Sequence, residues 1–156
     1  MQMANHTSHS GSDEAQYLQV EMDEIVKSMN AQAKSRARRA TNALRNSALD
    51  VLKAPGHGRV YRARGTQNSG TMHRASAPGE TPAPDRGHLR SHWRQYTFAR
   101  GRADGIEITA RIKSDEPYAG YLEDGTGKMA ARPYKKKIQD AAKPEVATIY
   151  GLPYLK

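Results

Sequence analysis

The sequence predicts an α+β fold: a long N-terminal helix, a small antiparallel sheet, C-terminal helices and an extended loop arm. Three patterns indicate this fold. Apolar residues follow helical spacing over residues 13–54, apolar and polar residues alternate over residues 93–113, and Gly, Pro and Ser dominate residues 55–88. At 156 residues, one domain is expected, over residues 13–149, with the sheet and remaining helices in residues 89–149.

The long helix is predicted to begin near Ser12 or Asp13, because both residue types are good N-caps, and to end before Pro55. The preceding residues 1–12 form a polar tail that we expect to be disordered when free. Apolar residues recur at helical spacing: Leu18, Met22, Ile25, Met29, Ala33, Ala40, Leu44, Ala48 and Val51. About 40 residues span roughly 60 Å, which is too long for a compact domain of this size. The helix should therefore project, kink or lie along a neighbouring copy.

Residues 55–88, here called the arm, carry no hydrophobic face of their own. Pro78, Pro82 and Pro84 hold the chain extended and remove hydrogen-bond donors. Such a segment is suited to lying on a neighbouring subunit or a partner ring. The alternative is that it is a flexible surface loop.

A short helix and a hairpin are predicted after the arm. Asp85 is a plausible N-cap for a helix through Leu89 and Trp93. Two alternating segments, Trp93–Phe98 and Gly105–Lys113, are typical of half-buried strands, and the Gly-containing residues between them supply the turn.

Residues 117–134, here called the corner, predict a helix, a tight turn and a second helix. Tyr118, Tyr121 and Leu122 fall at positions i, i+3 and i+4, so one short helix can place all three on one face. Residues 124–127 include two glycines, which favour the end of that helix. Pro133 suits the start of the next helix, because proline has no N–H to leave unsatisfied there.

The end of the chain is predicted to be a helix followed by a short tail. Pro144 should kink or end the helix that begins at the corner. Residues 150–156 form a C-terminal tail in which Tyr154 and Leu155 are apolar. Docking of this tail onto a partner is therefore expected.

Composition limits the class of protein. The chain is 37% hydrophobic with a net charge of +9, a pI near 9.9 and a mean hydropathy of −0.87. A core this thin indicates a subunit stabilised by partners, and a basic chain is attracted to polyanions or acidic surfaces. The absence of cysteine excludes disulfides and thiolate zinc sites. No apolar run approaches a membrane span of about 20 residues, and the N-terminus lacks the apolar core of a signal peptide, so cytoplasmic synthesis is expected.

Charge is divided along the long helix. Acidic Glu21, Asp23 and Glu24 come early, whereas the basic residues come late: Lys34, Arg36, Arg38, Arg39 and Arg45. This order complements the helix dipole. It also suits head-to-tail contact between identical subunits around a ring, or contact of the basic half with nucleic acid.

Two segments resemble the signatures of one protein family. The order Tyr-x-x-Tyr-Leu-Glu-x-Gly-Thr-x-x-Met-x-Ala-Arg-Pro-Tyr at Tyr118 to Tyr134 is similar to that of phage tail-component proteins. Asp124 stands where that family commonly has Phe or Tyr. A second signature, Ser-Ala-Pro-Gly-Glu-x-Pro-Ala followed by Asp-x-Gly-x-Leu, occurs at residues 76–89, with Arg86 in place of a usual Thr.

The resemblance implies a structural virion protein of the neck, head–tail joining or tail-completion type, from long-tailed double-stranded DNA phages. Such a protein forms a homo-oligomeric ring between the head connector (adaptor or stopper) and the tail terminator or tail tube, and genomic DNA passes through its channel. Its localisation would be the virion neck or tail, after synthesis in the host cytoplasm.

Candidate site residues follow from these segments. The interface or turn residues are Tyr118, Tyr121, Leu122, Gly125, Thr126, Met129, Arg132 and Pro133. The arm residues are Pro78, Gly79, Pro82 and Asp85. The residues expected to face DNA in the channel are Arg38, Arg39, Arg59, Arg62, Arg64 and Arg74.

No enzymatic or cofactor motif is evident. His88 and His92 have the i, i+4 spacing of metal ligands, but no Glu lies between them and no third ligand is apparent. His6 and His9 lie in the polar tail, and no phosphate-binding loop or nucleophile elbow occurs. We therefore expect no catalytic activity, no metal and no cofactor.

The alternative function is a free-standing, sequence-independent nucleic-acid-binding module. It would use the arginines of residues 36–45 together with those of the arm. The sequence shows no recognisable reading element and no interleaved aromatic residues of the kind that single-strand binders use.

Overall fold

A computed structural model describes residues 11–62 and 72–154, with side chains described from residue 16 onward. It confirms the α+β class: a long N-terminal helix, two small antiparallel sheets and C-terminal helices. The elements in order are α1 Gly11–Val51, β1 Val60–Arg62, β2 Met72–Arg74, α2 His88–Ser91, β3 Trp93–Arg102, β4 Gly105–Ser114, α3 Ala119–Asp124 and α4 Lys135–Gly151. Within these residues, no helix is both long enough and apolar enough to cross a membrane.

The predicted long helix is present as α1, one helix of 41 residues and thus about 60 Å long. It ends at Val51, three residues earlier than predicted, because the residue before Pro55 disfavours helical backbone. The two halves of α1 have different surroundings. Its C-terminal half buries small residues, including Ala37, Ala40 and Ala43, against the rest of the chain. Its N-terminal half is exposed throughout residues 16–28.

The predicted hairpin is formed by β3 and β4, which pair antiparallel over ten residues each. Arg102 pairs with Gly105, so a two-residue turn connects the strands. Burial alternates along β4, with Ile106, Ile108, Ala110 and Ile112 on the covered face. This face packs on α1, where the hydroxyls of Thr41 and Thr97 lie 3.3 Å apart.

Helix α4 lies along α1 and buries Ile138, Ala142 and Ile149. The helix continues through Pro144 to Gly151, so Pro144 does not end it, and a kink at this residue stays a prediction. Proline removes one backbone hydrogen bond. The buried residues on either side of Pro144 continue the same packed face, which favours the helix across the missing bond.

The core is small and is centred on Tyr134. Its side chain is 1% exposed and packs with Leu52, Leu89 and Ile138. The hydroxyl of Tyr134 donates a 2.9 Å hydrogen bond to the carbonyl of Ala119, which joins the start of α4 to α3. The corner is thus attached directly to the centre of the fold.

The described part of the C-terminal tail packs on its own chain. Tyr150 and Gly151 still belong to α4, and Pro153 and Tyr154 contact Arg36 of α1. Tyr154 thus has a contact within its own chain, and docking of the tail onto a partner stays a prediction. Arg36, buried within a folded chain, supplied a partner that linear spacing could not reveal. Leu155 lies outside the described residues.

Candidate functional site

A cleft of about 440 Å³ lies between the arm and the corner. It brings together predicted residues from both segments, although Pro82 and Tyr118 are 36 positions apart along the chain. Its lining includes Tyr61, His73, Pro82, Asp85, His88, Tyr118, Leu122, Met129 and Arg132. The two sequence segments that resemble one family therefore form the walls of one site.

The corner is a closely hydrogen-bonded turn. Gly125 ends α3 with a φ of 78°, as the glycine signal predicts. A Cβ at this position would lie 2.8 Å from the nitrogen of Ala131, so a side chain is excluded by space as well as by backbone angle. Thr126 and Met129 exchange backbone hydrogen bonds of 2.8 and 3.1 Å. The N–H of Arg132 donates to the carbonyl of Leu122 at 2.7 Å, which closes the turn.

Helix α4 begins at Lys135 rather than at Pro133, so the predicted start is two residues early. The cause is Glu123 of α3. Its Oε2 atom accepts hydrogen bonds from the N–H groups of Tyr134 at 2.9 Å and of Lys135 at 3.1 Å. A carboxylate at this end of a helix satisfies free donors and complements the helix dipole.

The predicted common face of the three corner side chains is wrong for Tyr121. Tyr118 and Leu122 line the cleft, whereas Tyr121 is 62% exposed. Helix α3 begins after Tyr118 and rests on the core through Ala119 and Leu122. At 100° per residue, Tyr121 is turned away from that face.

The arm contains a tight turn at Ala77–Glu80. The N–H of Glu80 donates to the carbonyl of Ala77 at 3.1 Å, and Gly79 has a φ of 78°. Pro78 followed by a glycine with positive φ is typical of a type II turn. The Glu80 carboxylate accepts from the N–H of Ala77 at 2.7 Å and from that of His57 at 3.1 Å. These hydrogen bonds hold the pKa of Glu80 below its usual range.

The arm is held against the corner of its own chain. The guanidinium of Arg132 donates to the carbonyl of Ser76 at 3.2 and 3.3 Å. The N–H of Gly79 donates to the carbonyl of Ala131 at 2.9 Å, and Lys137 donates to the hydroxyl of Thr81 at 3.1 Å. Consequently Ser76, Thr81 and Pro82 are buried, whereas Pro78 and Gly79 are exposed. Contact between the exposed part of the arm and a neighbour stays a prediction.

Asp85 is not the N-cap that the sequence predicts. Helix α2 begins at His88, its N-cap is Gly87 with a φ of 77°, and no side chain caps it. The left-handed backbone at Gly87 separates Asp85 from the helix. Asp85 instead lines the cleft, where its Oδ1 atom lies 3.9 Å from Nδ1 of His73.

The predicted channel arginines lie on two separate elements. Arg38 and Arg39 are exposed on α1. Arg59 is exposed just before β1, and Arg62 and Arg74 are exposed on the β1–β2 pair. Arg64 lies outside the described residues.

The N-terminal half of α1 carries large apolar side chains that no described residue of the chain covers. Their exposed fractions run from 38% at Met29 to 74% at Tyr17. We call this set the apolar stripe: Tyr17, Leu18, Val20, Met22, Ile25, Val26 and Met29. Helical spacing predicts an apolar face here, but only the fold reveals that its N-terminal part is uncovered.

The outer face of the hairpin carries aromatic and basic groups that sequence reasoning did not combine. Tyr96 and Phe98 stack with ring centroids 5.9 Å apart, and the guanidinium of Arg111 lies 5.3 Å from both rings. Phe98 is 49% exposed. The strand register could have indicated this cluster, because Tyr96 pairs with Arg111 and side chains on opposite strands at paired positions share a face.

No protein-family model, no curated protein and no solved structure matches the chain. The likeness to phage tail components therefore depends on the two quoted segments alone. The surfaces described above are the basis for proposing a function.

Proposed function

We propose that this chain is a structural virion protein that forms an oligomeric ring at a phage head–tail junction. In that role it joins the head connector to the tail and surrounds the channel through which DNA passes. The observation that carries the proposal is the apolar stripe on α1, which the described part of the chain leaves exposed. The likeness of residues 76–89 and 118–134 to tail components supports the same conclusion.

Exposure of the apolar stripe is costly for a chain that acts alone. Full burial of a Val, Leu, Ile or Met side chain contributes about 1.5–3 kcal/mol. The stripe contains seven large apolar side chains with substantial exposed surface. Covering it with a neighbour therefore offers on the order of 5 kcal/mol or more, which offsets at least part of the roughly 4–15 kcal/mol that association costs in lost freedom of motion.

Charge around the stripe favours a ring over a symmetric pair. Acidic Glu21, Asp23 and Glu24 occupy the same part of α1 as the stripe. A symmetric contact centred there would bring the two acidic sets together, and like charges at an interface are unfavourable. A head-to-tail contact avoids this, because the acidic half of one copy can meet the basic half of the next.

A suitable surface for the next copy lies beside the basic half of α1. Tyr150 and Leu152 are each 44% exposed. Arg36 contacts the carbonyl of Tyr150 at 3.5 Å, so these apolar groups lie close to the position where α1 becomes basic. Repeating such a contact between unlike surfaces closes into a ring when the rotation allows it.

The role at the junction is tested by deleting the gene in the phage that encodes it. We expect DNA-filled heads and complete tails to accumulate separately, and joined particles to form when purified protein is added. Complete infectious particles without the protein, or its absence from the neck in cryo-electron images, would refute the proposal.

The hairpin cluster favours a second candidate, a sequence-independent nucleic-acid-binding module. Aromatic rings beside arginine are groups on which single-stranded nucleic acid stacks. The exposed Phe98, the half-buried Tyr96 and Arg111 provide such groups. Titration of single-stranded DNA at increasing salt separates the two candidates. Tight, salt-dependent binding by a monomer that is lost in Phe98→Ala favours the module, whereas weak binding by an oligomer favours the ring protein.

A further inference from the structure

Two histidines and one carboxylate converge beside the cleft. Each of His88, His92 and Glu116 offers one potential ligand atom, and these atoms all lie within 4.8 Å of one another. Nδ1 of His92 lies 2.5 Å from Oε1 of Glu116. The rings of His88 and His92 meet edge to face with centroids 5.2 Å apart. The sequence around His88 and His92 offers no third ligand. In the fold Glu116, 24 residues after His92, supplies it.

The fold positions these groups by short backbone connections. The single turn of α2 brings His88 and His92 together, and the N–H of His92 donates to the carbonyl of His88 at 2.9 Å. The hairpin of β3 and β4 then brings the chain back beside His92. Trp93 pairs with Ser114, and the N–H of Asp115 donates to the carbonyl of His92 at 3.1 Å. Glu116 is thus held beside His92 by the base of the hairpin.

We propose that His88, His92 and Glu116 form a binding site for a divalent transition-metal ion of the Zn²⁺ class. Imidazole nitrogens and a carboxylate oxygen are ligands that Zn²⁺ accepts, whereas Ca²⁺ and Mg²⁺ prefer oxygen alone. Three protein ligands leave one position of a tetrahedral ion for water. The side chain of His92 is 48% exposed and that of Glu116 is 14% exposed, so the cluster has an open side for the ion to enter.

The metal site lies at the edge of the cleft. His88 lines the cleft, and so does Tyr118, two residues after Glu116.

A metal ion at this position connects two walls of the cleft. His88 is the last residue of the arm and His92 lies four residues after it, whereas Glu116 immediately precedes the corner. Binding to the folded chain, in which these ligands are already close, stabilises it against unfolding. The metal site is independent of ring formation and is testable on its own.

The test uses the full chain with His6→Gln and His9→Gln, which remove the histidines of the N-terminal tail. Zn²⁺ is titrated by calorimetry, and Co²⁺ is added as a spectroscopic probe of tetrahedral coordination. We expect one Zn²⁺ bound per chain, an intense visible Co²⁺ spectrum and a higher unfolding temperature with Zn²⁺. His92→Gln and Glu116→Gln should each weaken binding at least about tenfold.

His57→Gln is the matched control, because His57 is an exposed histidine that also contacts a carboxylate, Glu80, at 3.0 Å. It should bind Zn²⁺ as the parent does. Circular dichroism with chelator present establishes that each variant is folded. Absence of Zn²⁺ binding by the folded parent would overturn the proposal, and so would equal binding by His92→Gln and His57→Gln.

Discussion

The guanidinium of Arg36 lies 3.7 Å from the ring centroid of Tyr154, so the described end of the chain is fastened to the middle of α1. The same guanidinium donates to the carbonyl of Pro153 at 2.6 Å, and Arg36 is only 5% exposed. An arginine within the basic half of α1 is therefore used inside the subunit. This separates Arg36 from the exposed Arg38 and Arg39, which remain available to a partner.

Replacing Arg36 with Met should lower the free energy of unfolding by about 2 kcal/mol, because it removes charged hydrogen bonds and the stacked contact with Tyr154. Urea unfolding at one protein concentration measures this loss. Arg38→Met, at an exposed position of the same helix, should change stability by less than about 0.5 kcal/mol. Equal effects of the two substitutions would contradict the fastening of the tail by Arg36.

Reversing charge at Arg38 and Arg39 should weaken assembly or DNA retention without unfolding the helix. The double variant Arg38→Glu with Arg39→Glu places acidic groups where we expect an acidic partner surface or DNA phosphates. Sedimentation, filter binding to DNA and circular dichroism measure the three properties. Lys135→Glu with Lys143→Glu, on the exposed surface of α4, is the charge-matched control. Unchanged assembly and DNA retention in the Arg38, Arg39 variant would reject both roles.

Replacing Arg132 with Met should loosen the arm. The substitution removes the two hydrogen bonds to the carbonyl of Ser76, so local opening near Arg74 becomes less costly. A loss of about 1.4 kcal/mol corresponds to about tenfold faster tryptic cleavage after Arg74. Mass analysis of the fragments measures the rate. Lys128→Met, in the exposed part of the corner, should cleave at the parent rate.

The same cleavage also reports on the neighbouring subunit. We expect the bond after Arg74 to be cut in the free protein and protected in the assembly. Equal cleavage in both states would remove the argument for an interlocking arm.

Stability at alkaline pH should depend on Tyr134. Burial raises the pKa of Tyr134 from 10.0 to about 12. Between these values the unfolded chain has lost the phenolic proton while the folded chain retains it, so stability falls as pH rises through this window, by about 2–3 kcal/mol in total. Tyr134→Phe lacks this titration but loses the hydrogen bond to Ala119, at a cost of about 1 kcal/mol at neutral pH.

Urea unfolding at neutral pH and near pH 12 compares the wild-type chain with Tyr134→Phe. The wild type should have the higher free energy of unfolding at neutral pH, and this difference from Tyr134→Phe should disappear or change sign at the higher pH. Tyr121→Phe, at a side chain that is 62% exposed, serves as the control. A difference in free energy of unfolding that stays constant between neutral pH and pH 12 would contradict the burial of the phenol.

Local signals predict most of the elements. The apolar spacing along α1, the alternation along β4 and the glycine at position 125 each identify a structure that is present. These signals succeed because they act between residues close together in sequence: helical and strand periodicity, and the backbone freedom of glycine.

Several departures from the sequence expectations occur where distant residues determine the outcome. Glu123 moves the start of α4 past Pro133, and the core contacts of Leu122 turn Tyr121 outward. The metal cluster likewise needs Glu116, which only the hairpin brings to His92. None of these relationships has a fixed spacing along the chain, so no local pattern could reveal them.

The most direct test of the ring is the mass of the purified full chain in solution, measured by sedimentation equilibrium and native mass spectrometry. We predict a closed oligomer of one fixed size. The oligomer should dissociate to monomers when Leu18, Met22 and Ile25 are all replaced by Gln. It should persist when the exposed Lys27 and Ser28 are replaced by Gln instead. A wild-type chain that remains a folded monomer at every concentration would contradict the assignment of the apolar stripe as a subunit interface.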